Sequence, residues 1–158
     1  MTVPARASMD FHLLLEGVPG ESTVTGHAGE IYIDSFSTAV TRGGGVQATF
    51  SDLSFSKQLD KASPLLMLKC AQGATIPKAV LTCRTSLEAK PVPFYVIRLT
   101  GVKVTQVTTG GGAGGSRPTE SFSLSYETIE WEYTPMNQSG GTLPVVKANW
   151  NLLTNTGS

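Results

Sequence analysis

Apolar residues recur at every second position through most of the chain, the rhythm of strands with one buried face. Phe11, Leu13 and Leu15 share a face of a first strand; Ile31 and Ile33 share a face of a second, with Tyr32 and Phe36 opposite. After a flexible glycine loop, "TRGGG", the stretch "VQATFSDLSFSKQL" places Ala48 and Phe50 on one parity and Leu53, Phe55 and Leu59 on the other. A bulge or bend near Ser51 and Asp52 is expected, of the kind that lets one strand serve two sheets. "KAVLTCRT" alternates cleanly, with Ala79, Leu81 and Cys83 against Lys78, Thr82 and Arg84, and "PFYVIRLTGVKVTQV" continues through a possible bend at Gly101. A second parity switch divides Phe122, Leu124 and Tyr126 from Ile129, Trp131 and Tyr133, and Val146, Ala148, Trp150 and Leu152 face one way at the end. About eight strands at this spacing predict an all-β fold, a barrel or sandwich of antiparallel strands.

One stretch breaks the rhythm. "LDKASPLLMLKCAQG", Leu59 to Gly73, reads as a helix, with Ser63 as N-cap, Pro64 at the first helical position and Gly73 as the left-handed closing residue. Leu66, Cys70 and Met67 make a stripe that one barrel can cover. Leu65, Leu68 and Lys69 must look elsewhere, against either a loop folded over the helix or a neighbouring subunit.

Composition narrows the function classes. At 158 residues the chain is expected to form a single domain over 1–158, with 1–9 frayed and 110–118 a mobile glycine-rich loop. Charged residues are 15%, twelve basic against twelve acidic, so nothing draws the chain to nucleic acid or an acidic membrane. No apolar run approaches the roughly 18 residues of a membrane span, and the three consecutive leucines near the N-terminus are too few for a secretory signal. Folding in the cytoplasm is therefore expected. Cys70 and Cys83 read as small core residues, and with His12 and His27 they show no metal-ligand spacing. No cofactor is expected.

Candidate chemistry is sparse. "HAGE" holds His27 near Glu30 without a nucleophile in a strand-to-helix elbow, and "GGGAGG" lacks the Lys and Ser or Thr of a phosphate loop. Glu120, Glu127, Glu130 and Glu132 read as solvated positions on polar strand faces. Trp131, Tyr133 and Trp150 suit either a core or a sugar platform, which keeps a carbohydrate- or peptide-binding β-sandwich as the alternative function. A hydrolase would need paired carboxylates or a Ser-His contact that the sequence does not display.

"DLSFSKQLDKASPLLMLKCAQG", Asp52 to Gly73, resembles the signature of the haemolysin-coregulated proteins, Hcp, the tube subunits of bacterial type VI secretion. "GVPGES", "HAGEI", "AVLTCRT", "TESFSLSY", "EWEYTP" and "VKANWNL" follow in the same order as similar segments of that family, so nearly the whole chain is covered. The resemblance implies a two-sheet β-barrel with one flanking α-helix, six copies of which close into a homohexameric ring. It further implies stacking of rings into a tube within a contractile sheath, contact with spike and effector proteins, expulsion without a cleaved signal peptide, and no enzymatic activity.

Within that frame, residues lining an aqueous lumen should be small and polar, because an apolar wall would be an exposed sticky patch. Ser35 and Ser37 of "DSFSTA" are the lumen-facing candidates, Ser37 foremost; the alternative is a place on an outer sheet face. Arg42, Gly43, Gly44 and Gly45 are candidates for an arm that reaches the next ring, since glycines let a hairpin extend without its own core. Leu65, Leu68 and Lys69 are candidates for the subunit contact of the helix.

Overall fold

The computed structural model describes residues 9–45, 47–85, 91–137, 139 and 141–158, so the expected fraying of 1–9 lies, but for Met9, outside the described residues. In chain order the elements are β1 (Met9–Leu15), β2 (Ile31–Ile33), β3 (Ser35–Ser37), β4 (Val40–Arg42), β5 (Ala48–Phe50), β6 (Leu53–Gln58), α1 (Ser63–Gln72), β7 (Ile76–Thr85), β8 (Pro93–Gly110), β9 (Thr119–Ser125), β10 (Thr128–Tyr133), β11 (Val146–Asn151) and β12 (Thr156–Gly157). There are more than the eight strands that periodicity suggests because each parity switch divides the chain between separate partners. The expected bend at Ser51 and Asp52 separates β5 from β6, and a further break at Asp34 separates β2 from β3.

Two antiparallel sheets result. The larger runs β12-β11-β10-β8-β7-β1-β2 and the smaller β3-β6-β9-β8, while β4 and β5 form a hairpin of their own. β8 belongs to both sheets: its first half pairs with β7 and β10, and Lys103–Gly110 pairs with β9. The change of sheet falls at Gly101, whose φ of 60° is left-handed backbone that glycine adopts without strain. On the far side the chain crosses between sheets at Asp34, whose N–H donates to the Ser56 carbonyl at 2.8 Å. Among the described residues hydrogen bonding does not run all the way round, so the molecule is a two-sheet sandwich, not a closed barrel.

The core lies between the sheets. Leu13 and Ile31 from the larger sheet and Leu53, Phe55, Phe122 and Leu124 from the smaller are buried, with the Phe55 and Phe122 rings stacked at 4.9 Å. Phe36 turns inward, edge-on to Phe11 at 5.3 Å, because the crossing at Asp34 resets the parity that would have placed it opposite Ile33. The β4–β5 hairpin docks through Phe50, which stacks on Trp131 and Trp150 at 6.2 and 6.0 Å.

α1 spans ten residues and packs against β8. Gly73 closes it in the left-handed conformation, as expected, but the N-cap is Ala62 and Ser63 lies inside the first turn. The Ser63 hydroxyl is engaged elsewhere, accepting from the Asp60 N–H at 3.1 Å and from Lys57 Nζ at 3.0 Å. Leu66 is buried, while Leu65 and Cys70 are half-buried against the core. Met67 is exposed and so does not extend the buried stripe.

Cys83 is buried and Cys70 half-buried, and both are free thiols. Burial is the main cause that pushes the Cys83 pKa up to about 12, with the Asp10 charge adding to it. The thiolate is the reactive form. A maleimide at neutral pH should therefore label Cys70 first and leave Cys83 untouched until the protein is unfolded; mass spectrometry of a labelling time course reads both rates, and rapid modification of Cys83 in the folded chain would contradict its place in the core.

Candidate functional site: assembly surfaces

The smaller sheet has two unlike faces. Leu53, Phe55, Phe122 and Leu124 point inward, so their neighbours must point outward. Register aligns those neighbours into two rungs across all four strands: Ser35 to Ser56 to Ser121 to Thr108, and Ser37 to Ser54 to Ser123 to Gln106. Ser35 and Ser37, singled out from sequence, are both exposed, and the structure adds six partners that the sequence reading passed over. Ser35 and Ser56 are hydrogen-bonded across β3 and β6, and Ser54 and Ser123 at 3.0 Å across β6 and β9. None of these eight side chains is charged. Their signal in the sequence was the serine at every second place in "LSFSK" and "ESFSLS".

The edges of this sheet are open. β3 pairs only with β6, and the Lys103–Gly110 half of β8 pairs only with β9, among the described residues. Unpaired edge N–H and C=O groups are a template for joining another strand.

Beneath the hydroxylated face, two ionised side chains take inward positions. Lys57 shares the parity of Leu53 and Phe55, Glu120 that of Phe122, and the two meet directly across β6 and β9. Lys57 Nζ lies 2.8 Å from Glu120 Oε1 and donates to Asp60 Oδ1 at 2.7 Å; Lys57 is 0% and Glu120 2% exposed. Glu120 is thus buried and paired, not solvated as its place in an alternating strand suggested. Thr109 Oγ1 donates to its other oxygen at 2.9 Å. Asp60 Oδ1 also accepts the Ala62 N–H at 2.9 Å, which ties the ion cluster to the start of α1.

The remaining carboxylates stand nearer solvent. Glu130 and Glu132 form an ion-pair ladder with Arg98 and Lys147 on the outer face of the larger sheet, and Glu127 is exposed. His27 Nδ1 lies 3.0 Å from Glu30 Oε2. Trp131 and Trp150 are partly covered and faced by Phe50, so neither indole presents an open sugar platform, while Tyr133 is exposed. Among the described residues no group of three His, Cys, Asp or Glu side chains is placed to hold a metal ion, and no helix is long and apolar enough to cross a membrane.

The proposed arm is a hairpin. Thr41 and Arg42 belong to β4, which pairs with β5 through Val40 to Phe50, Thr41 to Thr49 and Arg42 to Ala48. Gly43, Gly44 and Gly45 form its exposed turn. Only the tip therefore has the loop character read from "TRGGG". On α1, Leu68 is exposed, whereas Leu65 and Lys69 are half-buried.

The chain is a two-sheet β-sandwich with one flanking helix, whose smaller sheet carries two uncharged polar rungs on its outer face, between edges left unpaired among the described residues. The family described as "Type VI secretion system effector, Hcp" matches residues 12–133. Protein hcp1 of Pseudomonas aeruginosa is 32% identical, over 94% of this chain and 98% of its own. A solved structure of a type six secretion system protein superposes with a TM-score of 0.89 at 29% identity, covering 96% of this chain and 100% of the other. Hcp1 from Salmonella typhimurium does so with a TM-score of 0.80 at 28% identity, over 95% and 99%. The chain belongs to the Hcp family of type VI secretion proteins and is a tube subunit of that system.

Proposed function

We propose that the chain closes head-to-tail into six-membered rings, that the rings stack into a tube, and that the outer face of the smaller sheet lines the lumen through which effector proteins travel. The carrying observation is the pair of uncharged rungs on a sheet open at both edges. Joining β3 of one copy to the Lys103–Gly110 edge of the next would satisfy both edges by a single repeated contact. Such a heterologous contact must close into a ring or polymerise. A small-residue hydroxylated wall stays wetted and gives cargo no apolar surface to stick to. In this reading Ser35 and Ser37 face the lumen, and Leu65, Leu68 and Lys69 of α1 meet the neighbouring subunit. The work is assembly and transport, not catalysis: the subunit waits in the cytoplasm, contacts sheath and spike, and leaves the cell with the tube.

A Ser37→Cys variant tests the lumen. In assembled tubes it should react with a small maleimide and be protected from one carried on a large polymer; equal reaction with both would put Ser37 on an outer surface.

The ring-stacking contact is assigned to the β4–β5 tip. Arg42 would make a polar contact with the next ring, and Gly43, Gly44 and Gly45 would lose on docking the freedom they hold in a free ring, at about 1–2 kcal/mol per residue. Replacing the three glycines by alanine should leave ring mass unchanged while impairing tube growth in electron micrographs and export of the protein. Unchanged tubes would move stacking to another surface.

A further inference from the structure

On the outer face of the larger sheet lies a histidine that plays no part in the proposed lumen wall, helix contact or stacking arm. His12, on β1, points away from the core yet is 0% exposed, because the chain from Glu16 to Glu30 folds over it. That excursion is knit to itself: Gly20 N–H donates to the Gly29 carbonyl at 2.8 Å, and Ser22 N–H to the Glu30 carbonyl at 3.0 Å. Its roof over His12 is His27, whose ring stacks on His12 at 4.8 Å and 19° between planes. Tyr32 of β2 packs on His12 at 5.2 Å. Neither His12 nitrogen makes a hydrogen bond among the described residues.

Charge around the ring offers an imidazolium little. Asp10, from β1, approaches His12 Nδ1 at 3.5 Å, but its two oxygens accept from Arg84 of β7 at 2.7 and 3.1 Å. Glu30, from the excursion, is engaged with His27. We propose that the His12–His27 stack is an acid-sensitive latch: the excursion 16–30 stays closed while His12 is neutral, and uptake of a proton by His12 releases it from the sheet. The opened segment carries with it Glu21, whose Oε2 accepts the Lys61 N–H at 2.9 Å just before α1. Glu21 also lines, with Asp10, Tyr32 and Asp34, a groove of about 540 Å³ beside β1 and β2. Acid opening therefore reshapes a surface next to the helix, whether or not rings form.

The direction follows from linkage. Burial is the largest influence on His12 and lowers its pKa, with His27 and Arg84 lowering it further and Asp10 raising it. An imidazole freed from the stack titrates near 6.5. Above that pH closed and open forms are both neutral, and the latch is at full strength. As pH falls below about 6.5, the open form takes up a proton that the closed form refuses, so closure weakens until the closed-state pKa is passed.

Hydrogen exchange of the full-length protein tests this at about pH 7.5 and about pH 5.5, corrected for intrinsic exchange. Protection of the 16–30 amides should fall on acidification, by up to roughly tenfold in all between these two pH values, because an imidazole that titrates near 6.5 lies only about one unit above the lower one. β7 and β9 should stay protected. A His12→Phe variant keeps a stacked ring and loses the titration, so its excursion should stay equally protected at both pH values. Acid opening that persists in this variant, or no opening in the parent, overturns the proposal. Should the variant fold poorly, a nuclear magnetic resonance titration of the parent decides: His12 must become charged together with the loss of protection over 16–30, and an imidazolium under a fully protected excursion overturns the latch.

Discussion

A Lys57→Met variant is expected to lose about 3–5 kcal/mol of stability, because it leaves Glu120 and Asp60 without their buried cation. At this chain length each kcal/mol moves the melting temperature by about 2–4 °C, so a drop on the order of 10 °C should appear. The cause is the uncompensated carboxylate and not the missing stem, since methionine fills much the same volume. Adding Glu120→Leu should therefore recover part of the loss, a non-additivity diagnostic of direct contact. Urea unfolding of both variants reads the difference. A loss below about 1 kcal/mol for Lys57→Met would mean that the pair does not hold β6, β9 and the start of α1 together.

A Gly101→Ala variant should cost about 2 kcal/mol, most of it from holding an L-residue in left-handed backbone. Gly101 has a φ of 60°, and an added Cβ would meet the Glu127 carboxyl carbon at 2.4 Å. That second obstacle is an exposed, flexible side chain that can swing away, so combining Gly101→Ala with Glu127→Ala should relieve only the smaller part. The backbone part stays, because β8 can pass from one sheet to the other only by turning there. Thermal unfolding measures both, and full rescue by Glu127→Ala would show that crowding, not the turn, sets the requirement.

Much of this architecture was legible in the order of apolar residues. The parity switches at Ser51 and Asp52 and after Tyr126 are where the chain changes partners, and Gly101 is where β8 bends. Strand order was not legible, since alternation says which face is buried and nothing about which strand lies alongside. The break at Asp34 was hidden for the same reason: Ile33 and Phe36 sit on opposite parities of what reads as one strand. Glu120 was misread as solvated because charged residues are rarely buried without a partner, and its partner lies 63 positions away in sequence, opposite it in the β6–β9 register. Yet Lys57 and Glu120 each share the parity of two buried apolar neighbours, and that signal stands in the sequence. Ser63 looked like a helix cap by residue type, but Asp60, three residues earlier, takes its hydroxyl into a turn and supplies the first acceptor itself. Of the candidate surface residues, the serines were legible because small polar side chains alternated with Phe and Leu. The full hydroxylated face appeared only once β9 and β8 were laid beside β3 and β6.

The solution mass of the purified full-length chain by light scattering at micromolar concentration tests the central claim most directly. A closed ring of six predicts about 100 kDa, six times the 16.7 kDa chain, unchanged on modest dilution. A species of single-chain mass across that range would contradict it, and the two open edges of the smaller sheet would then need another explanation.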